Sequence, residues 1–273
     1  MGPAVDHSMV KYRLLGPLEI VRNGRLCTPR AAMQRALLAL LIYHPNELLT
    51  TRRLIEELWD SRPPASALAT LQMYISAVRR AIFPVCSEVG LDPRRHPILR
   101  TESSGYIMRI EPEDVDVTHF RALARLGRSY VRIGRCDQAS ETFRQALALW
   151  RGTAMADLSH IGMMAHYAFR LDEERLTIWE ERIGADICRG RAVEVIGELE
   201  ELCARHPLRE SFYEQLMLAL YHSDRQAEAL AVYTRAHQIM VEKVGVEPGT
   251  GLRAAQHVIL AGQEPHSSRH AGH

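Results

Sequence analysis

This 273-residue chain lacks the features of a membrane, secreted or zinc-binding protein. Its longest apolar run, residues 36–43, is eight residues long, whereas a membrane-spanning helix needs about 20. The first residues lack the basic-then-apolar order of a signal peptide. The five cysteines are odd in number and include no C-x-x-C pair, which disfavours a disulfide framework or a zinc knuckle. We therefore expect a cytoplasmic protein with reduced, buried thiols and no bound metal.

Motifs of catalysis and of nucleotide binding are also missing. The sequence contains no H-E-x-x-H, G-x-S-x-G or G-x-G-x-x-G and no G-x-x-x-x-G-K-[ST] loop. Asp157, His160 and His166 are close in sequence, but they follow no known spacing of metal ligands. We predict that the protein is not an enzyme and needs no cofactor.

Charge is distributed unevenly along the chain. Residues 1–112 contain 15 Lys+Arg and 10 Asp+Glu, a net charge of +5. Residues 113–273 contain 19 and 23, a net charge of −4. The whole chain, at +1, conceals this asymmetry. A basic N-terminal half indicates a polyanionic partner, of which nucleic acid is the main candidate.

The first 112 residues predict short strands, three helices and a hairpin. Strand patterns cover 12–16, 18–21 and 25–27, the last two joined by the Asn23-Gly24 turn signal. Helical spacing of apolar residues covers about 30–44, 52–59 and 66–83. Thr50 or Thr51 can cap the second helix. Two further strands, 98–101 and 106–110, form the hairpin, and Gly105 is expected to permit its tight turn.

The third predicted helix has two different faces. One face is an aliphatic stripe of Leu71, Ile75, Val78 and Ile82. The opposite face is small, polar or basic and consists of Ser66, Ala69, Thr70, Met73, Ser76, Ala77 and Arg80. No acidic residue occurs between Asp60 and Glu88, although a solvated helix face normally mixes both charges. Such a face is suited to the phosphates of a duplex.

Several strings in this half occur in a recognisable order. They are residues 14–19 (LLGPLE), 54–59 (LIEELW), 63–68 (PPASAL) and 70–76 (TLQMYIS), with Arg79-Arg80 and Gly105-Tyr106 after them. With the order of elements, they resemble the winged helix-turn-helix domain of response-regulator effectors. The resemblance is closer to the Streptomyces antibiotic regulatory protein family of transcriptional activators. It implies that the third helix enters the major groove and that the hairpin is the wing.

The resemblance and the charge pattern together give a set of candidate DNA contacts. The predicted set is Thr51, Arg52, Arg53, Arg62, Ser66, Thr70, Met73, Tyr74, Ser76, Arg79, Arg80, Arg94, Arg95 and Arg100. Residues 51–53 begin the second helix, whose free N–H groups favour phosphate. On the third helix, Arg80 is expected to read a base or a flanking phosphate, and Arg79 to grip a phosphate. Tyr74 is expected either to pack in the core or to reach the DNA backbone, and Arg94, Arg95 and Arg100 to contact the minor groove from the wing.

The second half predicts only helices. Helical patterns cover roughly 117–133, 136–150, 164–189, 191–205, 208–222, 225–243 and 249–262. Gly190-Arg191 and Asp224-Arg225 open similar patterns 34 residues apart, which is the tetratricopeptide period. The fold class is therefore mainly α with small β: a winged helix-turn-helix domain over 10–112 and an irregular tetratricopeptide-like all-α domain over 113–263. Residues 264–273 are polar and are expected to be a disordered tail.

The helical half also carries recognisable strings. They are residues 148–152 (ALWRG), 171–175 (LDEER), 206–210 (HPLRE), 216–221 (LMLALY) and 245–249 (GVEPG). They resemble the bacterial transcriptional activation domain of the same family. The resemblance implies binding to direct repeats beside a promoter, contact with RNA polymerase and its sigma factor, and activation of a secondary-metabolite gene cluster. We expect a homodimer on DNA, with paired domains on tandem half-sites about one helical turn apart.

Two alternatives remain open on the sequence alone. The helical half could bind a small metabolite and make the protein a ligand-sensing repressor, with Tyr130, Phe143, Tyr167 and Phe169 lining a pocket. Core packing is the competing explanation for these aromatic residues. The acidic groups at 172–174, 180–181 and 198–201 could meet a basic surface of the polymerase, or they could simply form solvated helix faces.

Overall fold

The computed structural model describes residues 10–60, 62–82 and 96–262. The chain forms two compact units. Unit 1 comprises Met1–Ala122 and Ala146–Arg175, and unit 2 comprises Leu123–Gln145 and Leu176–His273. The two units differ in composition from the two predicted domains, whose boundary at 112/113 stays a prediction. The predicted tail, 264–273, lies outside the described residues.

Unit 1 begins with a small antiparallel sheet. Its strands are β1 (Val10–Arg13), β2 (Glu19–Arg22) and β3 (Arg25–Leu26), in the order β1-β2-β3. Tyr12 lies opposite Ile20, and both side chains are buried. Three strands were predicted here, and each observed strand overlaps its prediction, although β1 ends at Arg13 and not at Gly16.

Three helices follow, with a short strand between the first two. The helices are α1 (Ala32–Tyr43), α2 (Thr51–Trp59) and α3 (Ala67–Ile82). The strand is β4 (Leu48–Thr50). Helix α1 is buried from Ala36 to Tyr43, so the longest apolar run forms the centre of the unit. The Thr50 hydroxyl accepts a hydrogen bond from the Arg53 N–H, which identifies Thr50 as the residue that caps α2.

The hairpin is part of a three-stranded sheet. Strands β5 (Leu99–Glu102) and β6 (Gly105–Met108) pair with each other, and β4 pairs with β6, giving the order β4-β6-β5. A Cβ atom on Gly105 would lie 2.0 Å from the carbonyl oxygen of Leu49. The expected reason for this glycine was therefore wrong: the close approach of β4, not a tight turn, requires it.

The segment 146–175 belongs to unit 1 through contacts with its first sheet. The Arg151 N–H donates to the Leu15 carbonyl (2.8 Å), and the Met155 N–H donates to Leu14 (3.1 Å). The Asp157 carboxylate accepts from the Leu18 N–H (2.9 Å) and pairs with Arg35. These bonds satisfy backbone groups of the β1–β2 connection that would otherwise be buried without partners.

Asp116 anchors the chain that leaves the wing. After a 3₁₀ turn at Pro112–Asp114, this carboxylate accepts hydrogen bonds from the N–H groups of Leu14, Leu15 and Val117. Burial raises the pKa of Asp116, and these bonds together with Arg151 oppose the shift. The first sheet and the start of the next helix are thus joined by one side chain.

The remaining helices confirm the helical half. They are α4 (Asp116–Arg132), α5 (Cys136–Ala148), α6 (Met164–Cys188), α7 (Ala192–Arg205), α8 (Glu210–Tyr221), α9 (Gln226–Val244) and α10 (Thr250–Leu260). In unit 2, α8 packs against α7, α9 and α10, and Leu199, Leu216 and Ala236 lie in their common core. The 34-residue repeat thus corresponds to successive helical hairpins, α7–α8 and α9–α10.

The prediction that the thiols are reduced was wrong for two cysteines. Cys136 and Cys188 form a disulfide within unit 2. They are 52 residues apart, and only the meeting of the start of α5 with the end of α6 brings them together. Cys27 and Cys203 are free, and Cys86 lies outside the described residues.

In the described ranges, none of the helices combines the length and apolar character that a bilayer crossing requires. Across those same ranges there is also no cluster of three His, Cys, Asp or Glu side chains that could hold a metal ion.

Candidate nucleic-acid interface

Helix α3 separates its two faces as its sequence predicts. Ala67 and the aliphatic stripe Leu71, Ile75, Val78 and Ile82 are buried in the core of unit 1. The exposed residues of the helix and its approach are Ser66, Leu68, Ala69, Gln72, Met73, Ser76 and Arg80. The exposed face carries no carboxylate, so nothing on it repels a phosphate.

Two side chains on this face can contact DNA without losing a partner. Met73 has 56% of its surface exposed, which is unusual for a residue of this type. Arg80 is exposed, and within the described ranges it makes no hydrogen bond or ion pair. Arg62, before the helix, is likewise exposed, although its backbone N–H donates to the Trp59 carbonyl.

The small polar residues of the face have local hydrogen bonds. The Ser76 hydroxyl donates to the Gln72 carbonyl (2.9 Å), and the hydroxyls of Ser66 and Thr70 are 3.4 Å apart. Each hydroxyl keeps acceptor capacity for a second contact. Gln72 was not predicted as a site residue, although its position beside Ala69 and Met73 on the same helical face could have identified it.

The flanks of α3 hold the helix in place. Tyr74 stacks on Trp59 of α2, with ring centroids 6.1 Å apart and planes at 15°. The Arg79 guanidinium donates to the Leu99 carbonyl (2.9 Å) and to the Thr101 hydroxyl (2.8 Å). Burial lowers the pKa of Arg79. These contacts hold α3 against α2 and the wing, while the predicted phosphate contact of Arg79 stays a prediction.

The start of α2 has fewer free N–H groups than predicted. The Thr51 N–H donates to the Ser104 carbonyl of the wing turn (3.0 Å), and the Arg53 N–H is taken by Thr50. The Arg52 side chain is 88% exposed but pairs with Glu56 at 2.7 Å. Contacts from this end therefore depend on the Arg52 side chain, and they stay predictions.

Arg53 is part of a polar cluster within unit 1. Its guanidinium pairs with Glu57 (2.7 Å) and contacts His44 (3.0 Å), and Glu57 accepts a hydrogen bond from the Tyr167 hydroxyl. Burial and the Arg53 charge lower the pKa of His44. Arg53 thus has an internal role, which the local pattern of the sequence did not show.

The wing presents its two faces differently. Leu99 and Thr101 face α3, where Arg79 binds them. Arg100 points to the opposite face, since neighbouring residues of a strand alternate. Its predicted minor-groove contact stays a prediction. Arg94 and Arg95 lie outside the described residues. The predicted set of DNA contacts did not include the exposed turn residues Ser103 and Ser104, although serine hydroxyls often donate to phosphates.

Six of the eight acidic residues in the groups at 172–174, 180–181 and 198–201 form ion pairs with arginines of the same unit. In unit 1, Glu174 pairs with Arg121 (2.7 Å). In unit 2, the pairs are Glu181–Arg128, Glu180–Arg209, Glu198–Arg182, Glu200–Arg235 and Glu201–Arg205. Several of these pairs lie on exposed surfaces, so both alternatives considered for them, a polymerase-binding surface and a solvated helix face, stay predictions.

The structure places each of the four aromatic residues considered for a ligand pocket. In unit 2, Tyr130 is half-buried, and its hydroxyl has no partner within the described ranges. In unit 2, Phe143 is fully buried, close against Gly127. In unit 1, Tyr167 contacts Glu57 and packs against Tyr43 with their rings tilted by 55°, and Phe169 is 62% exposed. These side chains therefore do not support the ligand-sensing repressor.

Comparison with protein families gives two matches that follow one another along the chain. Residues 28–108 match the family described as "Transcriptional regulatory protein, C terminal". Residues 115–260 match the family described as "Bacterial transcriptional activator domain".

Among individual proteins, the chain is 39% identical over 252 residues to the regulatory protein DnrI of Streptomyces peucetius, covering 92% of each chain. It is 37% identical to AfsR of Streptomyces coelicolor, covering 93% of this chain and 24% of AfsR. The solved structure of EmbR from Mycobacterium tuberculosis, in complex with a low-affinity phosphopeptide, superposes with a TM-score of 0.86 at 34% identity. That match covers 94% of this chain and 66% of EmbR.

Proposed function

We propose, from the premise that this chain belongs to the Streptomyces antibiotic regulatory protein family of transcriptional regulators, that it activates a secondary-metabolite gene cluster by binding promoter DNA. The observation that carries the proposal is the acid-free exposed face of α3, with Arg80 free of intramolecular partners in the described ranges. Two related proteins, DnrI and AfsR, are regulatory proteins of Streptomyces.

In this proposal α3 lies in the major groove. Met73 and Ser76 meet base edges, where an apolar contact suits a thymine methyl group and a hydroxyl suits a polar edge. Arg80 binds a guanine or a flanking phosphate. The rest of the predicted set positions the domain on the backbone, as most protein–DNA contacts do.

The rigid mounting of α3 supports this role. The Tyr74–Trp59 stack and the two hydrogen bonds of Arg79 hold the helix against α2 and the wing. The Thr51 N–H bond to Ser104 holds the wing turn beside the start of α2. A recognition surface held in this way loses little conformational entropy when it binds.

We further propose that two copies bind tandem half-sites about one helical turn apart, as the geometry of the groove requires. The helical half then contacts RNA polymerase and its sigma factor, and the protein acts in the cytoplasm without catalysing a reaction. A homodimer on direct repeats predicts two-step occupancy of a two-site fragment and single occupancy when one half-site is scrambled.

The first experiment is genome-wide occupancy in the source organism, combined with mapped transcript start sites. Peaks should lie upstream of promoters of a biosynthetic cluster and contain a direct repeat. Binding of the purified protein to these fragments should weaken steeply with salt, because each phosphate contact releases counterions. Occupancy spread evenly over the genome would refute sequence-specific regulation.

Transcription with purified polymerase distinguishes activation from repression. On a template with the mapped site, added protein should increase the transcript, and a template with a scrambled site provides the control. If bound protein lowers or leaves unchanged the transcript while its footprint overlaps the promoter core, the activator assignment is wrong.

A further inference from the structure

A cleft lies between the first sheet and the wing of unit 1, on the face of the hairpin that points away from α3. Its volume is about 300 Å³, at the lower limit of typical small-molecule sites. Val10 and Tyr12 of β1 line one side, and Ile98, Arg100 and Arg109 line the other. Of the DNA contacts predicted above, Arg100 alone lines this cleft.

The floor of the cleft is apolar and held rigidly. Val10, Ile98 and Ile110 are almost fully buried. The Asn46 side-chain amide donates to the Ile110 carbonyl (2.8 Å), and its oxygen accepts from the Ile110 N–H (3.3 Å). On the β1 side, Tyr12 forms a parallel bridge with Val115. The walls are therefore formed before any ligand binds, and ordering them costs little.

Two arginines stand together on this wall. Arg100 lies opposite Ile107, and the Arg109 N–H donates to the Ile98 carbonyl (2.6 Å), which extends the ladder by one residue. Opposed residues and alternate residues of a strand share a face, so Arg100 and Arg109 are diagonal neighbours on one face. Both side chains are exposed, and in the part of the chain that the structure describes neither guanidinium has an ion pair or a hydrogen bond. Two adjacent like charges repel, and an anion between them removes the repulsion.

The acidic residues of the cleft restrict the charge of a ligand. Asp114 is neutralised by Lys11, 2.7 Å away. Glu111 is exposed, and no ion pair with it occurs in the described ranges. The two arginines and Glu111 leave one positive charge in excess, and a second negative group on the ligand would approach Glu111.

We propose that this cleft binds a small organic monocarboxylate. The carboxylate lies between Arg100 and Arg109, whose planar guanidinium groups can each hold it through two parallel hydrogen bonds. A short apolar body rests on Val10, Ile98 and Ile110. The site shares Arg100 with the proposed DNA contacts, whereas Arg109 and the apolar floor belong to the cleft alone. Ligand binding can be measured without DNA.

The test is a titration of the full-length chain with benzoate, followed by amide chemical shifts. Benzoate should shift the amides of residues 98–100 and 109–110. The neutral isostere benzamide and the R100Q/R109Q variant should each weaken binding about tenfold or more, because a hydrogen bond to a charged group is lost. The R100K/R109K variant, which keeps both charges, should bind with intermediate affinity. Arg25→Gln, an exposed arginine of β3, is the control and should bind as wild type does.

Three results would overturn the proposal. One is unchanged benzoate affinity in both double variants. A second is inorganic phosphate binding as tightly as benzoate, because a bare anion makes no use of the apolar floor. The third is loss of duplex DNA binding by ligand-free Arg109→Gln at low salt, which would assign Arg109 to a DNA phosphate. The first two results would refute the carboxylate site and leave the proposed DNA-binding function intact. Failure of the site can therefore be distinguished from failure of the proposed function.

Discussion

The hydroxyl of Tyr167 donates a hydrogen bond to the carboxylate of Glu57, 110 residues earlier in the chain. It joins helix α6 to helix α2 inside unit 1. Glu57 in turn pairs with Arg53. Next to this contact, Gly162 is so close to the carbonyl of Glu57 that a Cβ atom would lie 2.5 Å from it. A segment matched to the activator family thus packs directly on a helix of the DNA-binding part.

Tyr167→Phe should lower the free energy of unfolding of unit 1 by about 1–3 kcal/mol, because a half-buried carboxylate loses a hydrogen-bond donor. The measurement is urea denaturation followed by circular dichroism. Tyr130→Phe is the matched control, since its hydroxyl has no partner within the described ranges. Equal midpoints for the two variants would show that the Tyr167 contact contributes nothing.

Stability should depend on pH through His96. Burial, with a smaller effect of the Arg79 charge, lowers the pKa of His96 from 6.5 to about 4. Its Nδ1 accepts from the N–H groups of Ile98 and Leu99, which only the neutral ring can do. Because the folded pKa lies below the unfolded one, this contribution is complete above pH 6.5 and is lost as the pH falls from about 6.5 to about 4.

The pH effect is measured as the urea midpoint at several pH values. Its upper limit is roughly 3 kcal/mol, from 1.36 kcal/mol per unit of pKa. His96→Gln removes this titration and should flatten the pH profile in that window. An unchanged profile in His96→Gln would assign the dependence to other groups, such as His44.

Gly105→Ala should disrupt the sheet that carries the wing. The new Cβ would meet the Leu49 carbonyl at 2.0 Å, so β4 must separate from β6. We expect a loss of about 2 kcal/mol or more, as for other substitutions that force backbone to move. Gly197→Ala in helix α7 is the control, because nothing lies within 4 Å and alanine favours a helix. Similar thermal midpoints for the two variants would contradict the close approach.

Arg80→Ala should weaken operator binding by about 1–3 kcal/mol if Arg80 contacts a base. The measurement is fluorescence anisotropy with a fragment from the occupancy experiment, at fixed salt. Arg253→Ala, an exposed arginine of α10, changes the net charge equally and should bind as wild type does. If the two variants bind alike, Arg80 does not read the operator.

Reduction of the Cys136–Cys188 disulfide should destabilise unit 2 by roughly 2–4 kcal/mol, because the bond restricts the unfolded chain over a long loop. Urea midpoints with and without dithiothreitol, and of Cys188→Ser, measure this. Cys27→Ser provides the control, since Cys27 is free. If the urea midpoint is the same with and without dithiothreitol, the disulfide contributes no stability.

Local periodicity was enough to predict most of the fold. The stripe of Leu71, Ile75 and Val78 identified α3 and its buried face, because helix spacing alone decides which residues share a face. Strand β4 was missed, since three residues after Pro45-Asn46 show no alternation that could distinguish a strand from a loop. Its strand character comes from pairing with β6, almost 60 residues later.

The sequence predicted which side of the protein the candidate site residues lie on, but not which residues they contact within the protein. Sequence pattern placed Arg79 and Arg53 near the DNA side, and the structure gives both of them intramolecular partners. Those partners, Leu99 and His44 among them, lie on other elements, so no local rule reveals them. The Cys136–Cys188 disulfide was missed for the same reason.

The membership of residues 146–175 in unit 1 has a consequence for engineering hybrid regulators. A chimera spliced just after the wing would remove Asp116 and Asp157, which cap the backbone of the first sheet, and expose the surface that Tyr167 covers. A DNA-binding domain taken from a related protein should therefore be transferred together with that protein's own segment equivalent to residues 146–175. To change the DNA specificity of such a protein, substituting the exposed residues of α3 should disturb the fold less than exchanging a whole domain.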